Sequence, residues 1–202
     1  MDWEIIFKAG GLAGLASLFW LMLKDLIDFC KKPRLLILHL DKNRDLRVFS
    51  NLNIDKSVNW PRRVATLEIR NKKNRTALRC GAKLEFQSWP LNVTHLERHY
   101  NLHWAGVPYS YLTSGTEPID IGPEGRRLDV IFTHANQDAL NIPGCWIGTP
   151  MALSNPVQNQ FYLPPGEYKI KIMVDCENGK GDNKYYKIIS PTQWNELDLD
   201  EL

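Results

Sequence analysis

The sequence predicts a mostly β chain: an antiparallel β-sandwich, with one membrane-spanning α-helix before it and a short helix after it. Three observations predict this. The run Ile5–Leu23 is apolar except for Lys8, and Lys24, Lys31, Lys32 and Arg34 follow it. Between Pro33 and Ser190, apolar and polar residues alternate with period two, the signature of strands with one buried face. Clusters of Gly, Pro and Asn separate these stretches at the spacing of an all-β fold. The implied organisation is an anchor and basic collar over 1–33, a β domain over 34–189, and a C-terminal helix with an acidic tail over 190–202.

At 1.5 Å per residue, Ile5–Leu23 spans roughly 28 Å as a helix, close to a hydrocarbon core of about 30 Å. Lys8 lies near one end, where its stem reaches the headgroups. A cleaved signal peptide needs a basic start and a small-residue cleavage site. This chain starts Met1-Asp2-Trp3-Glu4, and its run ends Trp20-Leu21-Met22-Leu23-Lys24, so the anchor is expected to persist. Lys24, Lys31, Lys32 and Arg34 outweigh Lys8, which places the C-terminal domain in the cytoplasm of a single-pass protein. Gly10 and Gly14 form GxxxG, a spacing that lets two helices approach closely. The expected partners are therefore the lipid bilayer, a second copy through the helix, and an unidentified protein. A net charge of +2 supplies no field that would select nucleic acid.

In the domain, Ala65, Leu67 and Ile69 are expected to point inward, with Thr66, Glu68 and Arg70 pointing outward. Leu78, Cys80, Ala82, Leu84 and Phe86 form a second inward set. Tyr168, Ile170, Ile172, Val174 and Cys176 form a third, followed by a polar turn at 177–183 and a return strand. Weaker strand patterns lie at 35–40, 46–49, 101–105 and 128–133. Ser190-Pro191 reads as the N-terminus of a short helix carrying Trp194 and Leu197, and 198–202 reads as a frayed acidic tail. The cysteines, Cys30, Cys80, Cys145 and Cys176, show no CxxC spacing, and cytoplasmic thiols are expected to be reduced. A Cys80–Cys176 bond would be read as crossing the sandwich.

Leu67-Glu68-Ile69-Arg70-Asn71, then Thr76-Ala77 and Cys80-x-Ala82-x-Leu84, resemble adjacent strands of Ig-like domains of the fibronectin III and CARDB type. So does Leu163-Pro164-Pro165-Gly166-Glu167-Tyr168-x-Ile170-x-Ile172-x-Val174 with its closing hairpin. The resemblance covers about 50 residues and implies an Ig-like β-sandwich. It departs from antibody domains, having no Cys–Trp–Cys framework. The surplus length falls in two long connections, 88–118 and 134–160, where a rigid scaffold commonly carries function.

His95, His99 and His103 would line one face of a helix and hold zinc. Glu97 is misplaced for HExxH, and His103-Trp104 reads as strand, so surface or packing histidines are expected instead of a metal site. The glycine-containing stretches 122–127 and 179–182 do not join a strand to a helix and read as turns rather than phosphate cradles. No nucleophile–base–acid set is apparent, so no catalytic residue, no cofactor and no enzyme is expected. The aromatics Trp89, Trp104, Tyr109, Tyr111 and Trp146 read chiefly as core, with a binding surface as the other use. The sequence thus points to a non-enzymatic interaction or scaffold module, or to a tethered sensor binding a small molecule with its long loops.

Overall fold

The computed structural model describes residues 3–48, 61–87, 96–105, 117–134, 143–149 and 161–202, with the side chains of 3–16, 61–62 and 134 outside that description. The chain divides into two compact units, Met1–Lys32 and Pro33–Leu202. The first holds helix α1, Trp3–Lys31. Among the described residues no helix is long and apolar enough to cross a membrane. The described side chains of α1 begin at Ser17, so Ile5–Ala16, over half of the apolar run, lies outside them.

The second unit is an antiparallel sandwich of a seven-stranded and a six-stranded sheet. Its strands are β1 (Leu35–Ile37), β2 (Leu46–Val48), β3 (Pro61–Asn71), β4 (Ala77–Phe86), β5 (His99–Asn101), β6 (His103–Trp104) and β7 (Ile119–Ile121). They continue as β8 (Arg126–His134), β9 (Cys145–Ile147), β10 (Tyr162–Leu163), β11 (Gly166–Asp175), β12 (Asp182–Ser190) and β13 (Asp198–Glu201). The first sheet runs β1-β3-β8-β9-β10, with β2 also on β3 and β6 also on β8. The second runs β13-β12-β11-β4-β5, with β7 also on β4. β1 and β2 are two pieces of one edge strand along β3, interrupted by a helical turn, α2 (Lys42–Asp45).

Directly opposed residues of antiparallel strands share a face, so the register shows what meets in the core. Leu67 opposes Leu128 and Ala65 opposes Ile131, all fully buried. In the other sheet Ile170 opposes Phe86 on one side and Tyr186 on the other, and Ile172 opposes Leu84. Ala65, Leu67 and Ile69 of β3 and Tyr168, Ile170, Ile172 and Val174 of β11 are buried as expected, whereas Cys176 lies past β11 and is half-buried, and β12 starts at Asp182, inside the expected turn 177–183. Phe86 meets Tyr100 and Tyr168 edge-on, each at 6.2 Å between centroids, the arrangement ring quadrupoles favour.

Some expectations need correction. Leu78 points outward and is 42% exposed. Arg79 takes φ 48°, and the β4–β7 register shifts between Ala77 and Cys80, so a bulge resets the alternation. The C-terminal helix is a single 3₁₀ turn, Trp194–Glu196, and the acidic tail is strand β13 on the edge of the six-stranded sheet. Lys42 Nζ bridges Asp198 and Asp200 at 2.6 Å each, and Lys184 pairs with Glu201. These cations remove the repulsion that would fray the tail, while Leu197 and Leu199 are fully buried. Cys80 in β4 and Cys176, just past the end of β11, belong to one sheet's side and do not face each other across the sandwich.

β1 is also tied to the other sheet. Leu35 N–H donates to Lys180 O and Lys180 N–H to Pro33 O, both at 2.9 Å. Beyond them the acceptors become side chains: Ile37 N–H donates to Asp182 at 2.9 Å and Leu40 N–H to Glu201 at 3.0 Å. Two carboxylates thus satisfy backbone donors that an open sheet edge would leave exposed.

Candidate functional site

Two features stand apart from ordinary core and surface. The first is α1. Leu18, Phe19, Trp20, Leu21 and Met22 are 55–71% exposed. At about 100° of rotation per residue, five consecutive positions cover the whole circumference of a helix. An amphipathic helix that docks in a groove shows one apolar face, whereas Leu18–Met22 shows no polar face. Leu26, Ile27 and Phe29 extend this surface, exposed at 58%, 41% and 69%. Lys24, Lys31 and Lys32 are exposed toward its C-terminal end, and Arg34 is exposed at the start of the second unit. Gly10 and Gly14 lie outside the residues whose side-chain surroundings are described.

The second feature is a buried polar network on the outer face of the seven-stranded sheet. Between β3 and β8 the register passes from Ala65↔Ile131 to Thr66↔Asp129, leaving Val130 as the extra residue of a bulge. Thr66, Glu68, Arg127 and Asp129 therefore share the face opposite the core. α2 supplies the anion for it. Asp45 is fully buried, receives Arg44 Nε and Nη2 at 2.7 Å each, and accepts Asp41 N–H at 3.0 Å. Arg127 Nη1 lies 3.1 Å from Thr66 Oγ1, 3.2 Å from Arg44 O and 3.5 Å from Asp45. Glu68 joins through Arg44 at 3.1 Å and Arg70 at 2.7 Å. Burial by itself would raise the Asp45 carboxyl, but the Arg44 and Asp41 hydrogen bonds and the Arg44 and Arg127 charges outweigh it and hold it below the usual carboxylate range. Arg127 is lowered by burial and by repulsion from Arg47 and Arg44.

Both Asp45 oxygens, Thr66 Oγ1 and both Glu68 oxygens bond within this network, so its chemistry is that of a clasp between α2 and the sheet. Asp45→Ala is expected to cost about 3 kcal/mol, since it strands a half-buried Arg127 and the Asp41 N–H. That is the low end for a broken buried pair, because the Arg44 and Arg127 side chains are 32% and 22% exposed. The carboxyl sits lower in the folded than in the unfolded chain, so the unfolded chain binds its proton first as pH falls. The clasp's contribution is complete above the unfolded value of about 4 and is lost as pH drops through the lower folded value. Urea melts of wild type and Asp45→Ala should differ at pH 7, and the difference should shrink as pH falls below about 4.

Beside the clasp, on the same face, His103 opposes Asp129. His103 is fully buried, its Nδ1 is 3.0 Å from Asp129 Oδ2, and its N–H donates to Gly148 O at 2.9 Å. A Cβ on Gly148 would come within 2.4 Å of Asp129 O, so only glycine fits where β9 passes the pair. The contact with Asp129 fixes the orientation of the His103 ring. No protein-family model, curated protein or solved structure matches this chain. What the site can do therefore rests on its own geometry.

That geometry separates the histidines. His103 belongs to the seven-stranded sheet and is buried, whereas His99 is exposed on β5 in the six-stranded sheet. The chain changes sheets at Leu102, so the two cannot share a helix face. His95 lies outside the described residues, among which no group of three His, Cys, Asp or Glu is placed to hold a metal ion. Trp104 and Trp146 are buried, with Trp146 stacked on Phe132 at 6.3 Å. Trp89, Tyr109 and Tyr111 fall outside the described residues, as do most of 88–118 and 134–160. Sequence reasoning misses Asp45, Arg127 and the His103–Asp129 pair. One signal is present: Asp129 is a lone charge inside the apolar run Leu128–Phe132.

Proposed function

We propose that this protein is a single-pass membrane protein whose cytoplasmic Ig-like sandwich, of the fibronectin III or CARDB kind, is a non-enzymatic interaction or scaffold module. The observation that carries this reading is the complete apolar circumference of Leu18–Met22, joined to a β domain with a closed core of its own. Lipid surrounds a helix on all sides; a protein groove covers one side. The orientation rests on Lys24, Lys31, Lys32 and Arg34 following the span, against Lys8 within it. The polar clasp supports a rigid scaffold, because its groups bind one another.

The tethered sensor is the second reading, favoured by the place of the His103–Asp129 pair. The pair's described neighbours in the chain include Ala105, two residues after His103, and Thr149, one residue after the Gly148 carbonyl that His103 N–H reaches.

The test is fractionation. Full-length protein should sediment with membranes, resist alkaline carbonate extraction and dissolve in detergent. A chain lacking Met1–Lys32 should be soluble and show a cooperative melt. Full-length protein in the carbonate supernatant would overturn the anchor.

A further inference from the structure

Cys80 lies in β4 and Cys176 is the residue just past the end of β11, the neighbouring strand. The β4–β11 register runs Val174↔Ala82 and ends at Asp175↔Gly81, and one further step would set Cys176 against Cys80, whose thiols act on each other. Both follow the inward positions of their strands. Cys80 is fully buried and Cys176 is partly exposed, and both are free thiols. Opposed residues in antiparallel strands have Cα atoms about 4.5–5.5 Å apart, inside the range of about 4.4–6.8 Å that a disulfide bridges.

We propose that Cys80 and Cys176 form a reversible dithiol/disulfide pair, oxidised by a low-molecular-weight disulfide such as oxidised glutathione. The partly exposed Cys176 reacts first. Its thiolate attacks one sulfur of the small disulfide, and the other sulfur leaves as a thiolate. Cys80 then loses its proton and attacks Cys176 Sγ, expelling the second small thiolate. The two protons go to the leaving thiolates, and two electrons pass from the protein to the small disulfide. The net change is two protein thiols exchanged for one protein disulfide and two small thiols.

The surroundings set the rate and the consequence. Burial, and the neighbouring Cys176, push the Cys80 thiol up to about 12. Burial raises Cys176 as well, with Asp175 adding to it. At neutral pH the pair thus stays protonated longer than a free cysteine, and oxidation is slow until pH rises. Cys176 immediately precedes the turn whose Lys180 holds Pro33 and Leu35. On the other strand, Arg79 beside Cys80 pairs with Glu177 at 2.8 Å. A bond here staples the start of β4 to the hairpin that grips the first residues of the sandwich.

The experiment uses full-length protein in detergent micelles with Cys30→Ala and Cys145→Ala, leaving the two cysteines in question. Oxidised glutathione should remove two hydrogens from the intact mass and link the Cys80 and Cys176 peptides. The rate should rise about tenfold per pH unit between pH 7 and 9, following the thiolate fraction. The thermal midpoint should rise by about 10 °C, because the bond closes a loop of roughly 100 residues, and dithiothreitol should reverse it. Adding Cys80→Ser should trap a glutathione adduct on Cys176. Should the Cys145→Ala background fail to fold, peptide mapping of oxidised wild-type protein tests the same linkage. A persistent adduct on Cys176 with Cys80 present, a disulfide between two chains, or two unreacted thiols in folded protein at pH 9 would each overturn the proposal.

Discussion

Ile170→Asp is expected to prevent the sandwich from folding. Ile170 is fully buried in β11, a strand flanked by hydrogen-bonded neighbours on both sides, where it opposes Phe86 and Tyr186. The substitution removes about 2–3 kcal/mol of side-chain burial. It also places a carboxyl among apolar groups, which costs several kcal/mol whether the group ionises or takes up a proton. Together these approach a domain's whole stability of about 5–15 kcal/mol. Lys169→Asp, one residue away, is the control. Lys169 is exposed on the opposite face and opposes Lys187, so the change should stay within about 0.5 kcal/mol. Circular dichroism melts of both variants separate the two cases, and equal midpoints would mean that the β11 register is wrong.

Truncation after Glu196 should destabilise the domain nearly as much. A frayed tail would be dispensable, but β13 is not a tail. Leu197 and Leu199 are both fully buried, and losing each costs about 1.5–3 kcal/mol. Glu201 also leaves, freeing Leu40 N–H and Lys184. The loss should total about 4–6 kcal/mol and expose the edge of β12 to pairing with other chains. Lys42→Ala, which removes only the exposed pairs to Asp198 and Asp200, should cost under about 1 kcal/mol. Urea unfolding of the two variants should separate these values, and a truncated chain with wild-type stability would refute the strand's role.

Legibility in the sequence follows the range of the interactions. The β11–β12 hairpin is readable because its strands are adjacent and its turn is short, so period, turn chemistry and register agree within 166–190. Leu78 is misplaced by alternation because alternation counts residues, and the bulge at Arg79 inserts one without changing composition. Leu197-Asp198-Leu199-Asp200 does alternate, but its acidity argues for fraying unless a cation is supplied, and that cation, Lys42, is 156 residues away from Asp198. Thr66 does point outward, yet it is buried, because α2 and Arg127 cover that face. The His103–Asp129 pair spans 26 residues and depends on a register shift at Val130, so neither residue announces the other.

The grip on the first residues of the sandwich has a mechanical consequence. Pro33 and Leu35 are zipped to Lys180, while Arg34 O accepts Lys72 N–H at 2.9 Å and Arg34 N–H reaches Asn71 at 3.3 Å. One short segment is thus clamped to the end of β3 and to the β11–β12 turn together. Tension applied at Pro33 would be divided between both sheets at its point of arrival, because Pro33, Arg34 and Leu35 are all bonded there. The domain would respond to a pull as one stiff body, with rupture beginning at the Lys180 clamp and the strands behind it engaged from the start.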